Sequence, residues 1–235
     1  MKLSIILPSY KEADNLKKII PRIQAVVKGI LITSEYEILV IDTTQPMDDT
    51  PLICETMNVR YIPRKFGNSY GDAIRTGILD ANGKYILVMD ADGSHDPADI
   101  VRLYHYMQQN ESDIIIGSRY IEGGKTSNGF VSIMMSYAVN LTYSKLFGLS
   151  IKDVSNSFRI YRTDLLKNIQ LQCNNFDVVE EILIKIYRKF PSVKIAEVPI
   201  FFHKRDEGHS KRNLLRFIVS YIVSIIRLFK IRNNY

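Results

Sequence analysis

Two carboxylates one residue apart, Asp90 and Asp92, close the apolar run of YILVMDADGSHDP (residues 85–97). In an extended segment alternate side chains point the same way, so both would face one side at the carboxyl end of a strand. Open α/β sheets bind ligands there. Two hard oxygen ligands with open positions suit Mg²⁺ or Mn²⁺ shared with a diphosphate. A surface turn accounts for Gly93 and Asp96, but not for an apolar strand running into two carboxylates. Two further strand ends are polar: Pro8-Ser9-Tyr10-Lys11-Glu12, and Asp42. Tyr10 offers a ring to stack on a base, and Asp42 can accept from a base or ribose. Glu12 and Asp14 also suit the positive start of the following helix. Near the other end, HKRDEGHSKR carries Arg205, Gly208, Ser210 and Lys211. Glycine permits a tight backbone, and the basic pair can donate to a diphosphate. A solvated basic loop is the plainer reading of that stretch. His203 and His209 lack a third ligand at sensible spacing, and His95 reads as a neighbour of the carboxylates.

The elements that must position these residues alternate. LSIILP, YEILVID, VRYIP, YILVMD, DIIIGSR and VKIAEVPI read as strands. Helical spacing runs from Leu16 to Val27, and residues 50–57 and 69–81 also look helical. Pro97 opens another helix at a favoured position. Such alternation predicts an α/β fold, a mostly parallel sheet with helices on both faces. The strand ends carrying PSYKE, Asp42 and DAD then meet on one edge. EGGKTSNG (122–129) is the most loop-like stretch and a candidate mobile loop over a site.

Composition narrows the classes. The chain has 235 residues, 46% hydrophobic, enough for one α/β core. Its two cysteines, Cys54 and Cys173, have no metal-type spacing and suit a reduced, cytoplasmic setting. The apolar run of MKLSIILPSYKE is too short for a signal peptide. The net charge is +6, and residues 203–235 account for all of it with eight basic and two acidic residues. A neutral body excludes a general nucleic-acid binder and points to an anionic membrane surface met at one end. In LLRFIVSYIVSIIRLF (214–229) the uncharged core between Arg216 and Arg227 runs only from Phe217 to Ile226. A spanning helix needs about 20 apolar residues. Residues 212–235 therefore read as a basic amphipathic helix in the membrane interface, after a catalytic domain over 1–211. The alternative is a terminal helix docked on the domain's own core. Residues 130–147 are also unusually apolar.

In order, PSYKE, VID, MDADGSHDP, GSRYIEGGK, DVSNSFRIYR, EEI, EVPIFF and RDEGHSK resemble the family 2 glycosyltransferases. The likeness spans roughly residues 3–212 and is nearest the dolichol-phosphate mannose synthase type, which makes polyprenyl-phosphate sugars. The resemblance implies a GT-A fold, a nucleotide-diphosphate-sugar donor, Mg²⁺ or Mn²⁺, and inversion at the anomeric carbon. Position by position, it implies that Pro8, Tyr10, Glu12 and Asp42 hold the nucleoside, and Asp90 and Asp92 the metal. It implies phosphate contacts from Arg119, Arg205, Ser210 and Lys211. Asp153 and Arg159 would line the acceptor side with Glu181 nearby. Helices at 130–147 lie at the membrane interface in that subgroup. Ser94 stands where some relatives supply a further ligand from Gln. Many members have a second Asp where this chain has Thr43. The loop TTQPMDDT is one residue longer than usual, with Asp48 and Asp49 replacing Asp-Gly, so the base stays open.

The expected function is hexose transfer from a GDP-mannose or UDP-glucose type donor to a polyprenyl phosphate at the cytoplasmic membrane face. A phosphate acceptor is already ionised and needs little base; a hydroxyl acceptor would need a carboxylate, for which Asp153 is the candidate. A saccharide or lipid-linked saccharide acceptor is the alternative. DADGS also resembles the nucleophile motif of haloacid-dehalogenase phosphatases, with Asp90 attacking. The later strands end in GSR and EVP, without the acidic pair that chemistry needs.

Overall fold

The computed structural model describes residues 1–204 and a helix over 214–231, whose side chains are described from Tyr221 to Phe229. In chain order the elements are β1 (Leu3–Pro8), α1 (Ala13–Lys28), β2 (Tyr36–Asp42), α2 (Thr50–Thr56), β3 (Arg60–Pro63), α3 (Tyr70–Asp80), β4 (Tyr85–Val88) and α4 (Ala98–Gln109). Then come β5 (Ile114–Ser118), β6 (Lys125–Thr126), α5 (Phe130–Phe147), β7 (Arg159–Arg162), α6 (Thr163–Lys167), α7 (Val178–Lys189), β8 (Ile195–Pro199), β9 (Phe201–Phe202) and α8 (Leu214–Ile231).

Seven strands form one sheet in the order β3-β2-β1-β4-β7-β5-β8. All pairings are parallel except those of β7, which runs antiparallel to both neighbours. The predominantly apolar strands β1 and β4 are buried on both faces, as parallel strands must be. Alternation divides the core in two. Ile6, Leu39, Ile41, Ile86 and Val88 face α3, α5, α6 and α7. Leu3, Ile5, Leu7, Ile38, Val40 and Leu87 face α1, α2 and α4. Register aligns the strand ends: Pro8 pairs with Ile41, and Ile6 with Val88, so Pro8 stands level with Asp90.

Three local differences from the sequence expectation have physical causes. β4 ends at Val88, and Asp90 and Asp92 lie in the turn that follows. The Asp90 N–H donates to His95 Nδ1 at 3.3 Å, Asp92 Oδ1 accepts from the Ser94 N–H, and Gly93 takes φ 79°. These local bonds replace a ladder that would keep the segment extended. Second, DVSNSFRIYR contributes β7, a strand hidden in the sequence by its terminal arginines. Third, the loop 122–129 is pinned: β6 pairs with β9 in a two-residue parallel ladder, and the Ser127 N–H donates to the Phe202 carbonyl at 2.8 Å.

The described part of α8 lies against the body. Leu228 and Ser224 are fully buried, and Tyr221 and Ile225 pack on the same core, at helical spacing. Tyr143 donates to Ser224 Oγ at 3.2 Å, and Arg188 to the Leu228 carbonyl at 3.1 Å. The opposite face leaves Ile222, Val223, Ile226 and Phe229 exposed. No helix among the described residues is long and apolar enough to cross a membrane.

Candidate active site

The strand ends enclose a cavity of about 300 Å³ lined by Pro8, Ser9, Tyr10, Glu12, Arg64, Asn68, Tyr70, Asp90, Ala91, Asp92 and Phe176. Two motifs 80 residues apart in sequence, PSYKE and DAD, thus share one space. Tyr10 is half exposed at its mouth. Glu12 accepts from Asn15 Nδ2 at 2.6 Å.

Each DAD carboxylate is oriented by hydroxyls. Asp90 Oδ1 accepts from Tyr70 Oη at 3.0 Å, and Oδ2 from Ser157 Oγ at 2.8 Å. Asp92 Oδ1 accepts from both the Ser94 N–H and Ser94 Oγ. Burial, reinforced by the Asp90 charge, raises the Tyr70 phenol well above its usual range, so it stays a donor. His95 braces the turn from behind: it is buried, stacks on Phe158 with ring centroids 4.8 Å apart, and meets Asn156 Oδ1 at 3.1 Å. No group of three or more His, Cys, Asp or Glu among the described residues could hold a metal alone. Two oriented hard carboxylates in an open cavity fit a divalent cation that takes further oxygens from a diphosphate.

Asp42 ends β2 beside this cavity, 1% exposed. Its Oδ2 lies 3.5 Å from Tyr61 Oη, and Oδ1 has no hydrogen-bond partner among the described residues. Burial raises its pKa. A buried acceptor in that state suits an N–H of a ligand. Arg64, absent from the sequence prediction, is 6% exposed and donates to the Ser9, Asn68 and Ser69 carbonyls. It ties the PSYKE turn to the start of α3 and sets a positive charge in the cavity wall.

Arg119 and Asp153 form a buried pair. Arg119 Nε donates to Asp153 Oδ2 at 2.8 Å and an Nη to Oδ1 at 2.6 Å. The Arg119 N–H also reaches Oδ2, and Ser136, Ser155 and Asn140 complete the network. Burial lowers the guanidinium pKa, but the Asp153 hydrogen bonds and charge outweigh it and leave it raised. Asp153 is 0% exposed and Arg119 9%.

The structure brings Pro8, Tyr10, Glu12, Asp90 and Asp92 to the cavity, and Asp42 beside it. Arg159 and Glu181, expected on the acceptor side, are wholly buried in the body instead. Arg159 donates to the Val154 and Val179 carbonyls. Glu181 pairs with Lys185 at 2.7 Å and accepts from the Gln172 and Cys173 N–H groups. The first braces the 153–157 turn, the second the segment before α7. Arg205, Ser210 and Lys211 lie outside the described residues. Sequence reasoning missed Arg64, Tyr70, Ser157 and Phe176. Only Ser157, inside DVSNSFR, stood in a motif already singled out.

A parallel sheet whose strand ends gather a nucleoside-type turn and a carboxylate pair is the GT-A arrangement. The glycosyl transferase family 2 model matches residues 4–170, and the chain belongs to that family. It is 33% identical to a dolichol-phosphate mannosyltransferase of Pyrococcus furiosus over 98% of this chain, and spans 64% of that protein's length. It is 30% identical to an undecaprenyl-phosphate mannosyltransferase of Micrococcus luteus, covering 90% of this chain and 87% of the relative. Glucosyl-3-phosphoglycerate synthase of Mycobacterium tuberculosis, solved with Mn²⁺ and uridine diphosphate, has the same fold: TM-score 0.73, 16% identity, 97% of this chain and 79% of that one.

Proposed function

We propose that this protein is an inverting, metal-dependent hexosyltransferase that moves a sugar from a nucleotide-diphosphate donor, of GDP-mannose or UDP-glucose type, to a polyprenyl phosphate at a membrane surface. The observation that carries the reading is the single cavity shared by Pro8, Tyr10 and Glu12 with Asp90 and Asp92. The first three and Asp42 take the nucleoside; the two carboxylates stand at the diphosphate end. Mg²⁺ or Mn²⁺ held there supplies charge neutralisation for the departing diphosphate. The fixed Arg64 charge adds to the positive field, and the family resemblance of RDEGHSK assigns Arg205 and Lys211 to phosphate contacts. The acceptor oxygen attacks the anomeric carbon from the side opposite the leaving group, which inverts it.

The state of Asp153 favours a phosphate acceptor. Its two oxygens are taken by Arg119 and the surrounding amides, so it holds Arg119 rather than a substrate proton. An ionised phosphate needs no such base.

Helix α5 supports the membrane assignment. Its inner face places Ser136 and Asn140 on the Arg119–Asp153 pair, while Met134, Tyr137 and Leu141 are exposed. α8 is its neighbour through the Phe147–Phe229 contact, 6.2 Å between centroids, and adds Ile222, Val223 and Ile226. Apolar helix faces beside a basic terminal stretch suit an anionic bilayer surface.

The test is a panel assay. Full-length protein, Mg²⁺ and radiolabelled GDP-mannose or UDP-glucose are incubated with undecaprenyl or dolichyl phosphate. The expected product is an organic-extractable, mild-acid-labile lipid phosphate sugar. Transfer to saccharides alone would shift the acceptor class.

A further inference from the structure

One wall of the cavity is aromatic. Tyr70, the first residue of α3, and Phe176, just before α7, stack with centroids 4.4 Å apart and planes 27° from parallel. Both line the cavity beside Asp90, and Phe176 keeps 38% of its surface exposed. The stack is held rigidly, which distinguishes it from a chance surface contact. A Cβ on Gly71 would come within 2.1 Å of the Cys173 carbonyl oxygen, so only glycine lets the 173–174 backbone approach α3. The Gly71 N–H donates to the Asn174 carbonyl at 2.8 Å. Arg75 binds the Cys173 carbonyl at 2.7 Å and Asn174 Oδ1 at 2.8 Å. From the other side, the buried Glu181 accepts from the Gln172 and Cys173 N–H groups, and Asp177 from the Asn175 N–H. Phe176 is thus fixed by its own loop.

We propose that Tyr70 and Phe176, with Asp90 at their edge, form the hexose subsite of the donor cavity, specific for the sugar ring of a nucleotide-diphosphate sugar. This rests on the glycosyltransferase reading and names the part of the site that senses the sugar. A pyranose presents an apolar C–H face to an aromatic surface and hydroxyls at its rim. The carboxylate of Asp90 is the rim acceptor. Each of its oxygens has two acceptor positions, and Tyr70 and Ser157 each occupy one. The remainder serve one sugar hydroxyl and one bond toward the cation. A shelf already stacked and clamped needs no ordering when the sugar arrives, so little affinity is lost to entropy.

Calorimetric titration of the full-length protein in Mg²⁺ tests this, using GDP, GDP-mannose, UDP and UDP-glucose. Wild type is compared with Phe176→Ala, Phe176→Leu and Tyr70→Phe. Phe176→Leu keeps apolar volume without the ring face and guards against loss of folding in the alanine variant. The expectation is that the hexose adds to wild-type affinity for one of the two nucleotide pairs. Both Phe176 variants should weaken that nucleotide sugar about tenfold, a difference of about 1.4 kcal/mol, and its nucleoside diphosphate less than twofold. Tyr70→Phe keeps the stack but removes one of the two hydroxyls that orient Asp90, and should weaken the nucleotide sugar by a smaller factor and more than its nucleoside diphosphate. If wild type binds none of the four compounds, the glycosyltransferase reading falls and the subsite with it. If wild type binds them but the hexose adds nothing, or Phe176→Leu changes both members of the pair equally or neither, the subsite is overturned while the reading stands.

Discussion

The Asp153 carboxylate has no freedom to act as a base while it holds Arg119 on both oxygens. Removing one partner of a buried pair costs about 3–5 kcal/mol because the other charge is stranded. Asp153→Asn keeps the shape and some hydrogen bonds but loses the charge. It should lower the melting temperature and raise the KM for polyprenyl phosphate more than the KM for the donor. Equal kcat/KM at unchanged melting temperature would remove the positioning role. At the other end of the site, Asp92→Ala takes away a carboxylate that Ser94 orients toward the cavity. Transfer should fall to background and Mn²⁺ binding should weaken; full turnover in excess EDTA would sink the metal assignment. Asp90 and Asp92 could be read from the sequence because an apolar strand ending in two acids has few other uses. Tyr70 and Phe176 could not, because a lone aromatic is as good in a core as in a pocket, and only folding sets them against Asp90.

Among the elements, α8 faces two ways, and substitutions should separate its two faces. Leu228 is fully buried, so Leu228→Ala should cost about 2–5 kcal/mol of stability. Ile222 and Ile226 are each 52% exposed, so Ile222→Asn with Ile226→Asn should leave the melting temperature nearly unchanged. The same pair should weaken sedimentation with phosphatidylglycerol vesicles. Unchanged vesicle binding would move the interface to the exposed side of α5 or to the terminal basic residues. The helix itself was legible in the sequence. Its docked face was not, because the stripe of Tyr221, Ser224, Ile225 and Leu228 and the exposed stripe of Ile222, Val223 and Ile226 are both mostly apolar, so hydropathy alone does not say which one docks. β7 escaped for the opposite reason: it is four residues long, and it becomes a strand by filling the gap between β4 and β5.

At the scale of the whole molecule, one buried acid makes stability depend on pH. Glu180 is 0% exposed on α7, with Oε2 unpaired among the described residues, and burial pushes its carboxyl up to about 8. Around it stand the Arg159 guanidinium, the Asp177 carboxylate and Tyr221 Oη of α8, 3.3 Å away. Its folded pKa is above the unfolded one, so the contribution is fully present below about 4.5 and is lost as pH rises through about 8. Other carboxylates dominate at acid pH, so the comparison is made against a variant. Glu180→Gln should be more stable than wild type above pH 8, by on the order of a few kcal/mol, with the advantage shrinking toward pH 5. Melting temperatures across pH 5–9 check this; parallel profiles would show that folding does not shift the Glu180 pKa.

By itself the sequence determined the alternation of strands and helices, the apolar identity of the strands, and the motifs PSYKE and DAD at their ends. These are local properties: burial on both faces demands unbroken apolar runs, and a strand end exposes whatever follows it. Tertiary structure alone decided which polar residues meet. It brought Asp90 under Tyr70 and Ser157, residues 20 and 67 positions away. It turned Arg119 from a free cation into the partner of Asp153, and Arg159 and Glu181 from expected acceptor contacts into internal braces. The physical reason is that a buried charge must find its compensation in whatever the fold places within hydrogen-bond reach, and that partner is set by packing rather than by spacing along the chain.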